Sequence, residues 1–309
     1  VDSPNPIHPM NSFASPTPVL LGKRVICHFG GYGTWCLDSV TGETIWQQKL
    51  LVDDSVGPGS SPILFNDQMI VACDGIDKQF VAALSIADGS IRWKTPRPPM
   101  RSPNGEFQKA YSTPLLINVK GQSQLVVPGA QWCVAYDPNN GSEIWRVDHG
   151  DGFSVTPMPI MTAGKIIFST GYITPELVAV DPTGRGDVTE THVLWRQKRN
   201  APAKPSMVSR GKVLFVISDT GILSALNTDD GSQLWRQRLG GAYSASPLIS
   251  DQRIMVASHT GEVTVFAAEA QYRKLGGIDI GEQIMASPIT IGSDLVLRTE
   301  KAVYRFSGQ

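Results

Sequence analysis

Apolar and polar residues alternate in short runs all along the chain, and each run stops at a cluster of Gly, Asn or Asp. Arg253-Ile-Met-Val-Ala257, a turn at His259-Thr-Gly261 and Glu262-Val-Thr-Val-Phe266 show the pattern in one place. A period of two with turn-forming punctuation predicts antiparallel strands joined by tight turns, not helices. Ser246-Pro-Leu-Ile-Ser250 adds a first strand to that pair. A fourth is plainest one unit earlier, where the turn Asn227-Thr-Asp-Asp-Gly231 leads into Ser232-Gln-Leu-Trp-Arg-Gln237. Each unit is therefore expected to form one four-stranded antiparallel sheet.

The unit recurs. A tryptophan closes it at Trp46, Trp93, Trp145, Trp195 and Trp235, at intervals of 47, 52, 50 and 40 residues, which is the period of a propeller blade. A Ser/Thr-Pro step or a degenerate copy of it opens the unit near Pro18, Pro62, Pro114, Pro159, Met207, Pro247 and Pro288, giving seven starts. A lone four-stranded sheet cannot bury both faces, and stacking copies around an axis solves that. The sequence thus predicts an all-β fold, a seven-bladed β-propeller of four-stranded antiparallel blades. It forms a single domain over 14–309 behind a Pro-rich lead-in at 1–13. The repeated tryptophans are read as packing between neighbouring blades. The last blade, from Ala286, is expected to lack its fourth strand. Val1 to Met10, with three prolines, is the free stretch that could complete it. A fragment of an eight-bladed propeller is the rival architecture.

Charge narrows the partners. Lys and Arg number 27 against 28 Asp and Glu, with no basic run, which argues against nucleic acid or anionic lipid. No apolar stretch approaches the ~20 residues of a spanning helix. The start at Val1 reads as a processed or trimmed piece. Cys27, Cys36, Cys73 and Cys133 read as buried thiols, with a Cys27–Cys36 pairing left open because they fall on adjacent predicted strands. His8, His28, His149, His192 and His259 are scattered and make no metal set. Asp53-Asp54 and Asp229-Asp230 read as solvated turns, since strand neighbours point to opposite faces. Arg185-Gly-Asp187 lies in a polar insertion of the fourth unit and reads as turn chemistry, not as an adhesion motif.

Val134-Ala-Tyr-Asp-Pro-Asn-Asn-Gly-Ser-Glu-Ile-Trp145, together with the Ser-Pro start, resembles the pyrroloquinoline-quinone-like β-propeller repeat. Gly57-Pro-Gly-Ser-Ser-Pro-Ile-Leu64, the stretch from Gly184 to Trp195 and the tail from Met285 to Tyr304 are similar to exported bacterial members of that family. The resemblance covers about the whole chain and implies an exported protein, periplasmic or associated with the cell surface. It implies a fold and not an activity, because quinone dehydrogenases and a lipoprotein of the outer-membrane barrel-assembly machinery share the repeat. The calcium site, catalytic Asp and vicinal disulfide of the dehydrogenases cannot be placed on residues of this chain. Neither pyrroloquinoline quinone nor calcium is therefore expected as a cofactor, and no catalytic residue is assigned. The lipoprotein carries a lipidated N-terminal Cys, and Cys27 is too deep in the first repeat to be one, which argues against that branch.

What remains is a non-enzymatic interaction or scaffold module that binds a protein partner. A carbohydrate- or small-ligand-binding propeller that meets a surface glycan is the second reading, and a quinone-dependent or hydrolytic enzyme the third. The connections from fourth strand to next first strand, and from second to third strand, are long. The working face is therefore expected at that end of the blades, with His28, Tyr32, Asp74, Trp132, Tyr172 and His259 as its residues.

Overall fold

Alternation of apolar and polar positions is realised as 28 strands and two single 3-10 turns in the computed structural model, which describes residues 7–307. Among these residues no helix is long and apolar enough to cross a membrane. The strands form seven sheets, the blades of a β-propeller fold, and the chain divides into two units. The first comprises residues 7–159 and 182–192. The second comprises 160–181 and 193–307.

Blade 1 holds β1 (Val19–Leu21), β2 (Arg24–His28), β3 (Thr34–Asp38) and β4 (Thr44–Gln48). Blade 2 holds β5 (Ile63–Phe65), β6 (Gln68–Asp74), β7 (Gln79–Ser85) and β8 (Ile91–Pro96), and blade 3 holds β9 (Leu115–Val119), β10 (Gln122–Pro128), β11 (Trp132–Tyr136) and β12 (Glu143–Asp148). In blade 4 the chain runs through β13 (Ile160–Thr162), β14 (Lys165–Ser169) and β15 (Leu177–Val180), leaves for β16 (Gly186–Asp187) and returns as β17 (Val193–Gln197). Blade 5 holds β18 (Val208–Arg210), β19 (Val213–Ile217), β20 (Ile222–Asn227) and β21 (Gln233–Arg238). Blade 6 holds β22 (Leu248–Ser250), β23 (Arg253–Ala257), β24 (Glu262–Ala267) and β25 (Lys274–Asp279). Blade 7 has three strands, β26 (Ile289–Ile291), β27 (Asp294–Arg298) and β28 (Val303–Phe306).

The tryptophans explain how neighbouring blades hold together. All five are at most 9% exposed. Trp46 donates its Nε1–H to the Ile86 carbonyl (3.0 Å), Trp93 to Pro138 (3.1 Å), Trp195 to Thr228 (3.0 Å) and Trp235 to Glu269 (3.1 Å). Each acceptor lies in the turn between third and fourth strands of the next blade. That turn also explains its glycine. Gly89, Gly141 and Gly231 have φ of 74°, 74° and 71°, and a Cβ on any of them would strike the indole of the preceding blade. Trp145 differs, donating to Gln124 Oε1 in its own blade (2.8 Å).

Four details depart from the sequence pattern. The insertion with Arg185-Gly-Asp187, expected as a turn, forms β16, which extends blade 3 as a fifth, parallel strand with Gly186 opposite Trp145. Gly276 of β25 pairs with Val265 where the other complete blades place their tryptophan. The register of β2 and β3 sets Cys36 opposite Ile26 and Cys27 opposite Trp35, so the two cysteines point to opposite faces of the sheet and are not paired. Finally, the lead-in does not complete blade 7 with any described residue. His8 donates its backbone N–H to Val56 (3.1 Å), and the Asn11 side chain donates to Val56 and Pro58 (3.0 and 3.2 Å), which places this stretch in the first unit. Val1 to Pro6 lie outside the described residues.

Truncating Trp93 removes its buried area and its bond to the Pro138 carbonyl, which keeps Gln68 as its remaining donor. Trp93→Ala is expected to lower unfolding free energy by about 3–5 kcal/mol, read from urea denaturation. Val40→Ala, in an exposed turn, is expected to leave the midpoint unchanged.

Candidate functional site

At one end of the blades the two kinds of long connection are bonded to each other. In the first unit Ile76 N–H donates to Asp53 (2.9 Å), Ala110 to Asp74 (3.0 Å), Gln131 to Gly152 (2.8 Å) and His149 to Gln131 (3.0 Å). In the second, Tyr243 donates to Asp219 (3.0 Å), His259 to Ala242 (2.9 Å) and Ile280 to Gly261 (3.0 Å). Each of these bonds joins a loop between second and third strands, or in the case of Asp74 the strand end beside it, to a connection between blades. Long loops are thereby fixed in place instead of being left mobile.

Beneath the first unit's loops lies a buried charge pair. Arg97, just past β8, stands 3.4 Å from the Asp74 carboxylate at the end of β6, and both side chains are at most 2% exposed. The guanidinium also donates to the Tyr136 hydroxyl (3.2 Å) and the Val127 carbonyl (3.0 Å). Burial pushes the Asp74 carboxyl up to about 6, against the opposing pull of Arg97. His28 is buried too, with Nδ1 2.9 Å from Thr34 Oγ1, and burial pushes it down to about 4. His28 and Asp74 were expected on the working face. Their side chains are instead buried, at 4% and 5% exposed.

Tyr32 and Trp132 do reach the surface. Tyr32 lines a cavity of about 100 Å³ with Ile7, Val52, Asp53, Asp54 and Ser55, and packs edge-on against Phe13 at 5.8 Å. Asp54 was read with Asp53 as a solvated turn. Instead its carboxylate turns inward and accepts the Gly31 N–H at 2.7 Å, and burial pushes it up to about 6. Trp132 donates to the Pro99 carbonyl (3.1 Å), and the guanidinium groups of Arg101 and Arg146 lie 5.9 and 5.3 Å from its ring. Arg101 is in turn held by both oxygens of Asp148 (2.5 and 3.1 Å). Asp54, Arg97, Arg101 and Arg146 were missed by sequence reasoning. The only signal for Arg97 and Arg101 was their place in or beside a long connection, and Arg146, inside β12, gave none.

In the second unit Tyr172 is 61% exposed and its neighbour Ile173 is 65% exposed at the tip of the β14–β15 loop. Ile173 has φ of 76°, a left-handed conformation that is strained for a β-branched residue. Glu176 closes the loop by pairing with Arg196 at 3.2 Å. His259 is half-buried, with Nε2 2.8 Å from Ser244 Oγ.

The donors present do not suit a quinone with its calcium. The repeat indoles, the surfaces on which a planar ring would stack, are enclosed between sheets with their N–H groups committed. Among the described residues no three His, Cys, Asp or Glu side chains converge as metal ligands. Burial also pushes the Cys73 and Cys133 thiols up, away from thiolate chemistry.

Comparison with known proteins follows the repeats. The family model for outer membrane protein assembly factor BamB matches residues 8–127 and 186–273. A protein of that name from Alkalilimnicola ehrlichii is 28% identical over 221 residues, covering 69% of this chain and 51% of its own. One from Shewanella oneidensis is 24% identical over 95 residues, 31% of this chain and 22% of its own. The chain therefore spans about half the length, or less, of these curated relatives. Among solved structures, BamB from Moraxella catarrhalis superposes with a TM-score of 0.69 at 16% identity, covering 92% of this chain and 81% of that one. Quinohemoprotein alcohol dehydrogenase from Comamonas testosteroni gives 0.66 at 12%, covering 91% and 62%. Both share the fold.

Two outcomes test this geometry. Arg97→Met leaves the Asp74 carboxyl buried without its partner and is expected to cost about 3–5 kcal/mol of stability, measured by urea unfolding at neutral pH. Asp54, whose carboxyl lies above its ordinary 3.8 when folded, binds its proton more readily in the folded state. Its contribution is therefore full below the ordinary value and is lost as pH rises through about 6. Asp54→Asn should show a smaller gain in urea midpoint between about pH 7 and about pH 4.5 than the unsubstituted protein, because Asp74 remains in both. Identical pH slopes would mean that Asp54 is not buried as described.

Proposed function

Because the chain belongs to the outer membrane protein assembly factor BamB family, we propose that it is a non-enzymatic propeller module that binds protein partners during assembly of outer-membrane proteins. Membership corrects the expectation drawn from Cys27. The family match is carried by the repeats, over residues 8–127 and 186–273, and does not depend on Cys27. The location that goes with this reading is outside the cytoplasm, on the periplasmic side of the outer membrane.

The observation that supports it most directly is the bonded loop end. Its hydrogen bonds hold aromatic side chains at or near the surface at little further entropy cost on binding: Tyr32 and Trp132 in the first unit, Tyr172 in the second, with His259 beside Ser244. Tyr, Trp and Arg are the side chains that carry most binding energy at protein interfaces, and Trp132 has Arg101 and Arg146 on its ring. His28 and Asp74 support these residues from below. Both arginines are already paired with carboxylates of this chain, so they hold the Trp132 ring in place and the aromatic surface is what a protein partner would meet.

Trp132→Asp and Tyr172→Asp are each expected to weaken binding to purified barrel-assembly components by about tenfold or more, with an unchanged circular dichroism spectrum. Val40→Asp, in a third-to-fourth strand turn, should bind as the unsubstituted chain does. Loss of binding on Val40→Asp alone would move the contact to the other end of the blades and refute the assignment.

A further inference from the structure

Blade 6 breaks the tryptophan pattern, and its neighbours show the gap. In blade 5 the row behind Trp235 is Ala225 and Phe215, both fully buried. The same row in blade 6 is Val265 and Met255 beside Gly276, and Val265 and Met255 are only half-buried. Across from them, Leu295 and Phe306 of blade 7 occupy the positions at which blade 6 presents Ile254 and Phe266 to Trp235. Ile254 and Phe266 are 0% exposed, whereas Leu295 and Phe306 are half-buried. A Cβ on Gly276 would meet nothing within 4 Å, and the Gly276 backbone is not left-handed. Two apolar walls thus face each other across the space that an indole fills elsewhere in this chain.

We propose that this slot binds an aromatic side chain, an indole above all, presented by an extended segment of a partner polypeptide lying along β25. Shape selects the occupant: the corresponding position in each of blades 1 to 5 holds a tryptophan, on the same strand and in the same register. The approach is open as well. β25 is the outer strand of its sheet and all six of its residues are exposed, with Ile278 on the slot side. Blade 3 shows that an outer strand of this protein accepts another, since β16 pairs along β12 with Gly186 opposite the tryptophan. An incoming strand that carries its own indole would supply to blade 6 what Gly276 lacks. This site is separate from the loop end and does not rest on it.

The test uses the whole chain and the peptide Gln-Leu-Trp-Arg-Gln-Arg, which is the sequence of β21, with a Trp→Ala version as control. The tryptophan peptide is expected to bind saturably, to shift the backbone amide resonances of Val265, Gly276 and Phe306, and to bind about tenfold or more tighter than the control. Tyr172→Asp should bind the peptide unchanged, which separates this result from failure of the loop-end reading. Gly276→Trp, whose own indole fills the slot, is expected to melt about 4 °C or more higher and to lose peptide binding. Equal binding of the two peptides, or shifts confined to the loop end, would overturn the proposal. So would a dimeric chain that becomes monomeric on Gly276→Trp, because the occupant would then be a second copy. If Gly276→Trp does not fold, the peptide titration of the unsubstituted chain decides alone.

Discussion

The indole that passes from one blade into the turn of the next is the interaction on which the rest depends. A sheet of four short strands with two apolar faces leaves them in water unless neighbouring sheets cover them. Burying Trp46, Trp93, Trp195 or Trp235 against the following blade covers one face, and the Nε1–H bond to a turn carbonyl fixes how the two blades align. Area supplies most of the free energy, and a neutral hydrogen bond adds about 1 kcal/mol net. The bond matters more for register than for strength. Gly89, Gly141 and Gly231 are the complement of that contact, since each serves a left-handed turn and a surface for someone else's ring.

With blade packing provided by the tryptophans, the loop end is free to carry polar chemistry. The Asp74–Arg97 pair is fully enclosed, so it adds little net stability compared with an apolar pair of the same size, yet it ties the end of β6 to the connection after β8. His28 and Asp54 do similar work through one hydrogen bond each. Buried polar groups of this kind fix where the loops lie, and the aromatics above them inherit that position.

Strands and their order were legible in the sequence because a period of two and a recurring tryptophan are properties of short windows. Trp46 through Trp235 announced both the blade and its interface. What failed to show was whatever depends on residues brought together from a distance. Asp54 looked like half of a solvated pair until Gly31 came within hydrogen-bond reach, and Arg97 had no visible partner 23 residues from Asp74. Cys27 and Cys36 sat on adjacent strands, but their faces follow from a register that the sequence does not state. Gly276 left a readable trace, falling 41 residues after Trp235 where the period calls for another tryptophan. Asp229 and Asp230, by contrast, are the exposed turn residues their surroundings suggested.

The parallel strand β16 bears on how such a protein can change over time. The first unit is assembled from two separate stretches of sequence, because residues 182–192 leave blade 4 to finish the outer edge of blade 3. Repeat proteins ordinarily gain and lose units by duplication or deletion of a single stretch, since each repeat touches only its neighbours. Here, removing blade 4 would also strip the covering strand from blade 3 and bare the backbone donors and acceptors of β12, an invitation to pair with a foreign chain. Blades 3 and 4 are consequently one heritable module, whereas the other blades keep the interchangeability of simple repeats.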